Sequence, residues 1–217
     1  MRDIYNKELE LLNQELTEMG ELCSKAISLV SSAFESRDGS IAASAAVLDR
    51  EIDRKERNIE ALCIKLLLKQ QPVAGDLRHI SAALKMITDM ERIGDQAEDI
   101  AEIIPYLGGG KAMGQEKISS MIAAACGMVS DSVTAYVKQD TDLAHEVMER
   151  DDIVDGLFAE AKKELISFVA ADPNNGEYAL DLLMIAKYLE RIGDHAVNIA
   201  EWEIFQESGS IKDIRLM

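Results

Sequence analysis

The sequence predicts an all-α protein of six helices, arranged as two tandem-duplicated three-helix bundles. Apolar residues recur at spacings of three and four along most of the 217 residues, and unbranched side chains that favour helices dominate the composition. The duplication is predicted by a repeat: residues 91–95 and residues 190–194 both read Glu-Arg-Ile-Gly-Asp, 99 positions apart. A three-helix unit cannot easily bury its apolar faces alone, so we expect the two copies to pack together or against another chain.

The first copy covers residues 1–104. The segment Asp38-Gly39-Ser40 ends its first helix, and Gln71-Pro72-Val73-Ala74-Gly75 ends the second, because proline cannot continue a helix. Asp76 is then the candidate N-cap of the third helix. The three helices are predicted at about residues 4–34, 41–69 and 77–104.

A linker at residues 105–114 separates the copies. Its triple glycine, Gly108-Gly109-Gly110, has no preceding strand and no following Lys-Ser/Thr, so a flexible hinge is favoured over a phosphate-binding loop. The second copy covers residues 115–206, and residues 207–217 are predicted to be a loosely held C-terminal tail. The second set of helices is predicted at about residues 116–138, 142–170 and 177–205, with a turn at 172–176.

The strongly acidic balance of the chain excludes several kinds of partner. Its formal net charge is −17, which repels nucleic acids and anionic membrane surfaces. No secretory signal is visible at the N-terminus, and no apolar run approaches the length that spans a bilayer. The three cysteines are odd in number and scattered, as is typical of buried thiols in a reducing compartment. We therefore expect a cytoplasmic protein with no direct membrane insertion and no nucleic-acid binding.

Acidic residues recur at helical spacing in both copies. Glu91 and Asp95 are four residues apart and share one face of the third helix, as Asp49 and Asp53 do on the second. At about 1.5 Å per residue, both pairs fall some 25–30 Å from the turn of an antiparallel hairpin. The second copy repeats this arrangement. If the side chains face one another, each copy brings four carboxylates to one level; in the second copy these are Glu190, Asp194, Asp151 and Asp155.

Four carboxylates at one level repel one another, and three things could offset this: bound cations, raised carboxylate pKa values, or neighbouring arginines. Bound cations would offset the repulsion, and clusters of oxygen ligands without sulfur suit Mg²⁺, Mn²⁺ or iron. Alternatively, Arg92 and Arg191, which each follow a motif glutamate, pair with acids on the adjacent helix. Asp99 continues the first acidic stripe by one turn and its counterpart is Asn198, so both are included as candidate ligands and the two sites need not be identical.

Three further positions in the repeats need an explanation. Gly94 and Gly193 lie inside helices, where glycine costs about 1 kcal/mol relative to alanine. Close approach of a neighbouring helix or room for a ligand would account for them. His195 stands beside Asp194 where the first copy has Gln96. A histidine in this position is either the partner of a nearby carboxylate or a metal ligand.

The doubled Glu-Arg-Ile-Gly-Asp segments, the turn that reads Gln71-Pro72-Val73-Ala74-Gly75-Asp76-Leu77-Arg78, and the six-helix duplication resemble the PhoU family of phosphate-transport regulators. The resemblance covers nearly the whole chain. It implies two three-helix bundles side by side, a homodimer, and binding of iron or zinc at the acidic motifs. It also implies a cytoplasmic, non-enzymatic negative regulator of phosphate uptake and of the phosphate-starvation response. The implied partners are the ATPase subunit of the phosphate ABC transporter and a sensor histidine kinase.

A second function is kept as an alternative. Carboxylate clusters that hold metal can activate water, so a metal-dependent hydrolase or oxidase is conceivable. The three histidines do not supply the two Glu-x-x-His pairs that are typical of di-iron bundle enzymes, and no nucleophile–base pair or nucleotide fingerprint is present. The identity and number of the metal ions, the oligomeric state, the partner surfaces and any direct sensing of phosphate stay open at this point.

Overall fold

The computed structural model describes residues 2–69, 73–107 and 114–209 of the chain. Within these ranges it contains six long helices and no strand, which confirms the predicted all-α class. The predicted break at Gln71-Pro72, the triple glycine and the tail beyond Gly209 lie outside the described residues. The helices are α1 (Arg2–Ser36), α2 (Gly39–Lys69), α3 (Ala74–Ile103), α4 (Gln115–Lys138), α5 (Thr141–Ala171) and α6 (Gly176–Ser208).

The helix boundaries differ from the prediction at three places. Helix α3 begins at Ala74, with Val73 as its extended N-cap, so Asp76 lies in the first turn and is not the cap. The predicted hinge begins with a short 3-10 helix, Ile104–Tyr106. Helix α6 continues to Ser208, so the first residues of the predicted tail are helical.

The turns follow ordinary capping chemistry. The side chain of Asp38 accepts hydrogen bonds from the backbone N–H and the hydroxyl of Ser40, which closes the α1–α2 turn as predicted. Asp140 caps α5 by accepting from the backbone N–H of Leu143 at 3.0 Å. Gln139 adopts a left-handed conformation at the end of α4, with φ of 57°.

Each copy forms its own three-helix bundle, and the two bundles pack side by side through α1 against α4 and α3 against α6. One apolar core runs through both. Cys23 and Cys63 are fully buried within it, and burial raises the pKa of both thiols to about 12, so they behave as small apolar residues. Helix α4 is long and apolar enough to pass a length-and-hydropathy test for a membrane span, but half of that stretch is buried within the fold. A core helix passes the same test.

The α1–α4 crossing depends on a glycine. A Cβ atom at Gly20 would lie 2.9 Å from Cγ1 of Val133, which is too close for ordinary packing. We expect Gly20→Ala to lower the free energy of unfolding by about 1–2 kcal/mol, because overpacking outweighs the gain in helix propensity. Urea denaturation measures this change. Gly156→Ala is the matched control: nothing lies within 4 Å of its Cβ position, so this substitution is expected to stabilise α5 slightly. Equal effects of the two substitutions would contradict the close crossing.

Candidate metal centres

The two helical glycines of the repeats make room for a carboxylate. A Cβ atom at Gly94 would lie 3.1 Å from Oδ1 of Asp49 on α2. In the second half, a Cβ atom at Gly193 would lie 3.1 Å from Oδ1 of Asp151 on α5. Both distances are tight contacts, so each glycine allows the acidic helix of its own half to approach closely. The same contact therefore occurs at the same position of each repeat.

The two carboxylates that contact these glycines each have one unsatisfied oxygen. Oδ1 of Asp49 and Oδ1 of Asp151 are buried and have no hydrogen-bond partner. A buried, unpaired anionic oxygen is costly, so such atoms are uncommon in folded proteins. Their occurrence at equivalent positions of two repeats indicates a shared requirement for an acid at this position.

The predicted acids surround these two carboxylates. The pKa of Asp49 is raised to about 6, first by burial and then by the charges of Glu98, Asp53, Asp95 and Glu91. In the second half, burial raises the pKa of Asp151 to about 6, with further contributions from the charges of its acidic neighbours. The structure thus brings together the four acids predicted in each half: Asp49, Asp53, Glu91 and Asp95 form the first acidic cluster, and Asp151, Asp155, Glu190 and Asp194 form the second acidic cluster.

Sequence reasoning missed two further acids beside the first cluster. The pKa of Glu98 is raised by burial and by Glu102 and Asp95, and the pKa of Glu56 is raised by burial and by Glu60 and Asp53. Glu98 could have been found, because it follows Asp95 by three residues on the same helix face. Its counterpart in the second half is Val197. The first cluster is therefore the more acidic of the two.

The basic side chains pair with the clusters differently from the prediction. Nη1 of Arg92 lies 2.8 Å from Oδ2 of Asp95, so this arginine pairs within its own helix and not across to α2. Arg57 and Lys187 also pair within their helices, with Asp53 and Glu190. Exposed pairs of this kind contribute little to stability. None of them reaches the unsatisfied oxygen of Asp49 or Asp151.

Two predicted ligands lie at the interface between the halves. Nδ2 of Asn198 donates to Oδ1 of Asp89 on α3 at 3.0 Å, so this amide pairs across the interface. The carboxylate of Asp99 accepts a hydrogen bond from Tyr188 on α6 and interacts with Arg191. Metal ligation by Asn198 and Asp99 stays a prediction: both side chains contact the other half, and the charge of Asp95 in the first cluster also raises the pKa of Asp99.

Asp89 accepts three hydrogen bonds from α6. Its Oδ1 also accepts from Nδ1 of His195 at 3.0 Å, and its Oδ2 accepts from Nε1 of Trp202 at 3.3 Å. His195 is thus the partner of a carboxylate, which was the first of the two interpretations that the sequence left open. Asp89 could not be found from the repeat, because its counterpart in the second half is Tyr188 and the arrangement does not recur.

The ligand chemistry of the two clusters suits a cation. Both contain only carboxylate oxygens, which suits hard or borderline cations, and each includes one unsatisfied oxygen that a cation would satisfy. Within the described ranges, no three His, Cys, Asp or Glu side chains converge closely enough to hold a metal ion as they stand. Metal binding would therefore require Asp95 and Glu190, which are partly buried, to turn away from Arg92 and Lys187 towards Asp49 and Asp151.

The fold and the two clusters define a class of protein: a duplicated helical bundle with one acidic cluster in each repeat. The PhoU domain family matches this chain twice, at residues 16–104 and 118–202. The chain belongs to the PhoU domain family.

Individual relatives agree with this assignment along the whole chain. A protein of Clostridium acetobutylicum, described as a phosphate-specific transport system accessory protein PhoU homolog, is 38% identical over 215 residues, covering 98% of each chain. The crystal structure of PhoU from Pseudomonas aeruginosa superposes with a TM-score of 0.91 at 34% identity, covering 95% of this chain and all of that one. The structure of the phosphate transport system regulatory protein PhoU from Streptococcus pneumoniae gives a TM-score of 0.89 at 25% identity, covering 97% of this chain and all of that one.

Proposed function

We propose that this protein is a non-enzymatic regulator of a phosphate transport system. Its similarity to phosphate transport accessory proteins over nearly its whole length is the observation that carries the proposal. In this role it lowers phosphate uptake and represses the starvation response when phosphate is plentiful. It acts by contacts with the ATPase subunit of the phosphate ABC transporter and with a sensor histidine kinase, as a homodimer in the cytoplasm.

The acidic surface fits a protein partner better than a nucleic acid. With 40 acidic and 23 basic residues, the chain repels phosphate backbones and free phosphate anions alike. Direct sensing of phosphate by an exposed acidic face is therefore unfavourable unless a bound cation recruits the anion. Regulation through contacts with proteins that themselves handle phosphate avoids this repulsion.

The second part of the proposal is that the two acidic clusters bind metal ions. The unsatisfied oxygens of Asp49 and Asp151 support it, because a bound cation would neutralise a buried carboxylate that has no hydrogen-bond donor. The first cluster would use Asp49, Asp53, Glu91 and Asp95, and the second would use Asp151, Asp155, Glu190 and Asp194. Iron or zinc fits the family resemblance, and Mg²⁺ or Mn²⁺ fits the oxygen ligands. Because each cluster takes its acids from two helices, bound ions would cross-link α2 to α3 and α5 to α6.

The alternative of a metal-dependent hydrolase or oxidase receives no support from the described residues. The ring of His195 is hydrogen-bonded to Asp89, and both ring nitrogens of His79 contact side-chain amides of Asn13 and Gln206. Both ring nitrogens of His79 and Nδ1 of His195 thus have partners outside the two acidic clusters.

A genetic experiment tests the regulatory role. In the source bacterium, deletion of the gene should switch on a phosphate-starvation reporter in phosphate-rich medium, and the wild-type gene should silence it again. A variant with Asp49→Asn and Asp151→Asn should fail to silence the reporter if bound metal is needed. The matched control removes two exposed acids of α1 that are remote from the clusters, by Glu10→Gln and Glu35→Gln, and should silence it fully. A reporter that stays silent after deletion would overturn the proposal.

A further inference from the structure

Glu203, near the end of α6, is an acid without a counter-charge. Its side chain is 0% exposed, and neither carboxylate oxygen has a hydrogen-bond partner. An ionised carboxylate in such a place carries a large desolvation penalty, whereas a neutral carboxylic acid carries a much smaller one. The groups around Glu203 therefore determine whether its side chain is ionised or protonated in the folded chain.

The duplication shows that packing at this position does not require an acid. At the repeat offset of 99 residues, the counterpart of Glu203 is Ile104 and the counterpart of Gln206 is Leu107, and both are 1% exposed. The first half thus fills the equivalent space with apolar side chains. Only the second half places two polar groups there.

The groups around Glu203 come from four helices. Tyr136 on α4 interacts electrostatically with Glu203, and its hydroxyl donates to the backbone oxygen of His79 on α3 at 2.6 Å. Nδ1 of His79 lies 2.5 Å from Oε1 of Gln206. Cys63 on α2 faces the same tyrosine. This network joins the end of α6 to α3 and α4.

The charged neighbours do not neutralise an ionised Glu203. Glu207 on α6 and Asp140 at the start of α5 both face it and are acidic. Arg78 on α3 lies at this end of α6, and its Nε donates to the backbone oxygen of Gln206 at 3.1 Å, not to Glu203. Within the described residues, no basic side chain forms an ion pair with Glu203.

We propose that Glu203 is a buried proton-binding site, and that loss of its proton releases the C-terminal end of α6 from α3 and α4. Burial, together with the charges of Glu207 and Asp140, raises the pKa of this carboxyl to about 8. A polar cavity of about 430 Å³ is lined by Gln206 and Glu207 of the same end of α6, so water lies close to the segment that an ionised Glu203 would release. The release of α6 therefore occurs under mildly alkaline conditions, and it does not involve the two acidic clusters.

The proton linkage has a definite sign. The folded-state pKa of about 8 lies above the ordinary value of 4.5, so the folded chain holds a proton that the unfolded chain has lost between these two values. The contribution of Glu203 to stability is therefore complete below pH 4.5 and is lost progressively up to pH 8. Over this window the unfolding equilibrium constant of the wild type should rise up to tenfold per pH unit relative to a variant that cannot ionise.

Urea denaturation between pH 4 and pH 9 tests the linkage. Glu203→Gln keeps the shape and removes the titration, and Glu203→Ile installs the residue of the first half. Both variants should gain stability over the wild type as the pH rises to 8, and the gain should level off above it. Glu35→Gln, at an exposed position on α1 that does not contribute to the raised pKa of Glu203, is the control and should keep the pH dependence of the wild type. Parallel curves for the wild type and Glu203→Gln would overturn the proposal.

Hydrogen exchange tests the release of α6 separately. Relative to Glu203→Gln at the same pH, amides of residues 203–208 of the wild type should exchange at least several-fold faster at pH 8 than at pH 5, and this ratio should level off above pH 8. If Glu203→Ile fails to fold, Glu203→Gln still provides the comparison. Equal exchange of this segment at pH 9 in the wild type and Glu203→Gln would show that ionisation does not release the helix.

Discussion

Asp89→Ala is expected to destabilise the protein by about 2–4 kcal/mol, because it leaves the donors of His195, Asn198 and Trp202 without their common acceptor. For a chain of this size the melting temperature should fall by on the order of 10 °C. The loss is large because one carboxylate serves three donors from the other half. Differential scanning calorimetry measures it directly.

An exposed acid provides the control for this substitution. Asp131 pairs with Arg150 at 2.8 Å, but both side chains are about one-third exposed, so Asp131→Ala is expected to cost less than about 1 kcal/mol. Asp89→Asn keeps one acceptor oxygen and should fall between the two. An Asp89→Ala protein as stable as Asp131→Ala would mean that the interface is held by apolar packing alone.

Added metal is expected to raise the melting temperature, and chelator is expected to lower it. A ligand at a hundred times its dissociation constant stabilises the folded state by about 2.7 kcal/mol per site, so two occupied clusters should shift the transition by on the order of 10 °C or more. Asp49→Asn combined with Asp151→Asn should abolish this dependence. In chelator the same variant should melt a few degrees higher than the wild type, because it removes two buried, unpaired charges.

If basic side chains, and not metal ions, neutralise the clusters, the opposite change in stability is expected for the variant. If arginine and lysine pairing alone balances the clusters, removing acids destabilises the protein whether or not metal is present. Glu10→Gln combined with Glu35→Gln removes the same number of charges from exposed positions on α1, and should leave the response to metal intact. A loss of the metal response in this control would indicate non-specific binding to the acidic surface.

The helices and the duplication could be predicted because both produce repeating patterns in the sequence. Apolar spacing located all six helices to within a few residues, and the repeated pentapeptide fixed the correspondence between the halves. The N-cap of α3 was missed because aspartate is a favoured N-cap residue and valine is a poor one, whereas the helix begins at Val73 without a side-chain cap.

The acids of each cluster could be grouped because helical rise places equal distances from a turn at equal heights. The contacts between the two halves could not be predicted in this way. Spacing shows that Asp95 and Asp99 share a helix face, but it does not show that Asp99 reaches Tyr188 of the other half. Glu203 was missed for a related reason: a glutamate in an amphipathic helix is ordinarily solvated, and only the packing of α6 buries it.

Elemental analysis of protein purified without chelator or a metal-affinity column tests the central proposal most directly. We expect about two or more metal ions per chain, because each repeat carries its own cluster. We also expect their loss from a variant that combines Asp49→Asn, Asp95→Asn, Asp151→Asn and Asp194→Asn. Wild-type protein without metal, with identical melting curves in metal and in chelator, would contradict the account and leave basic pairing as the explanation of the acidic clusters.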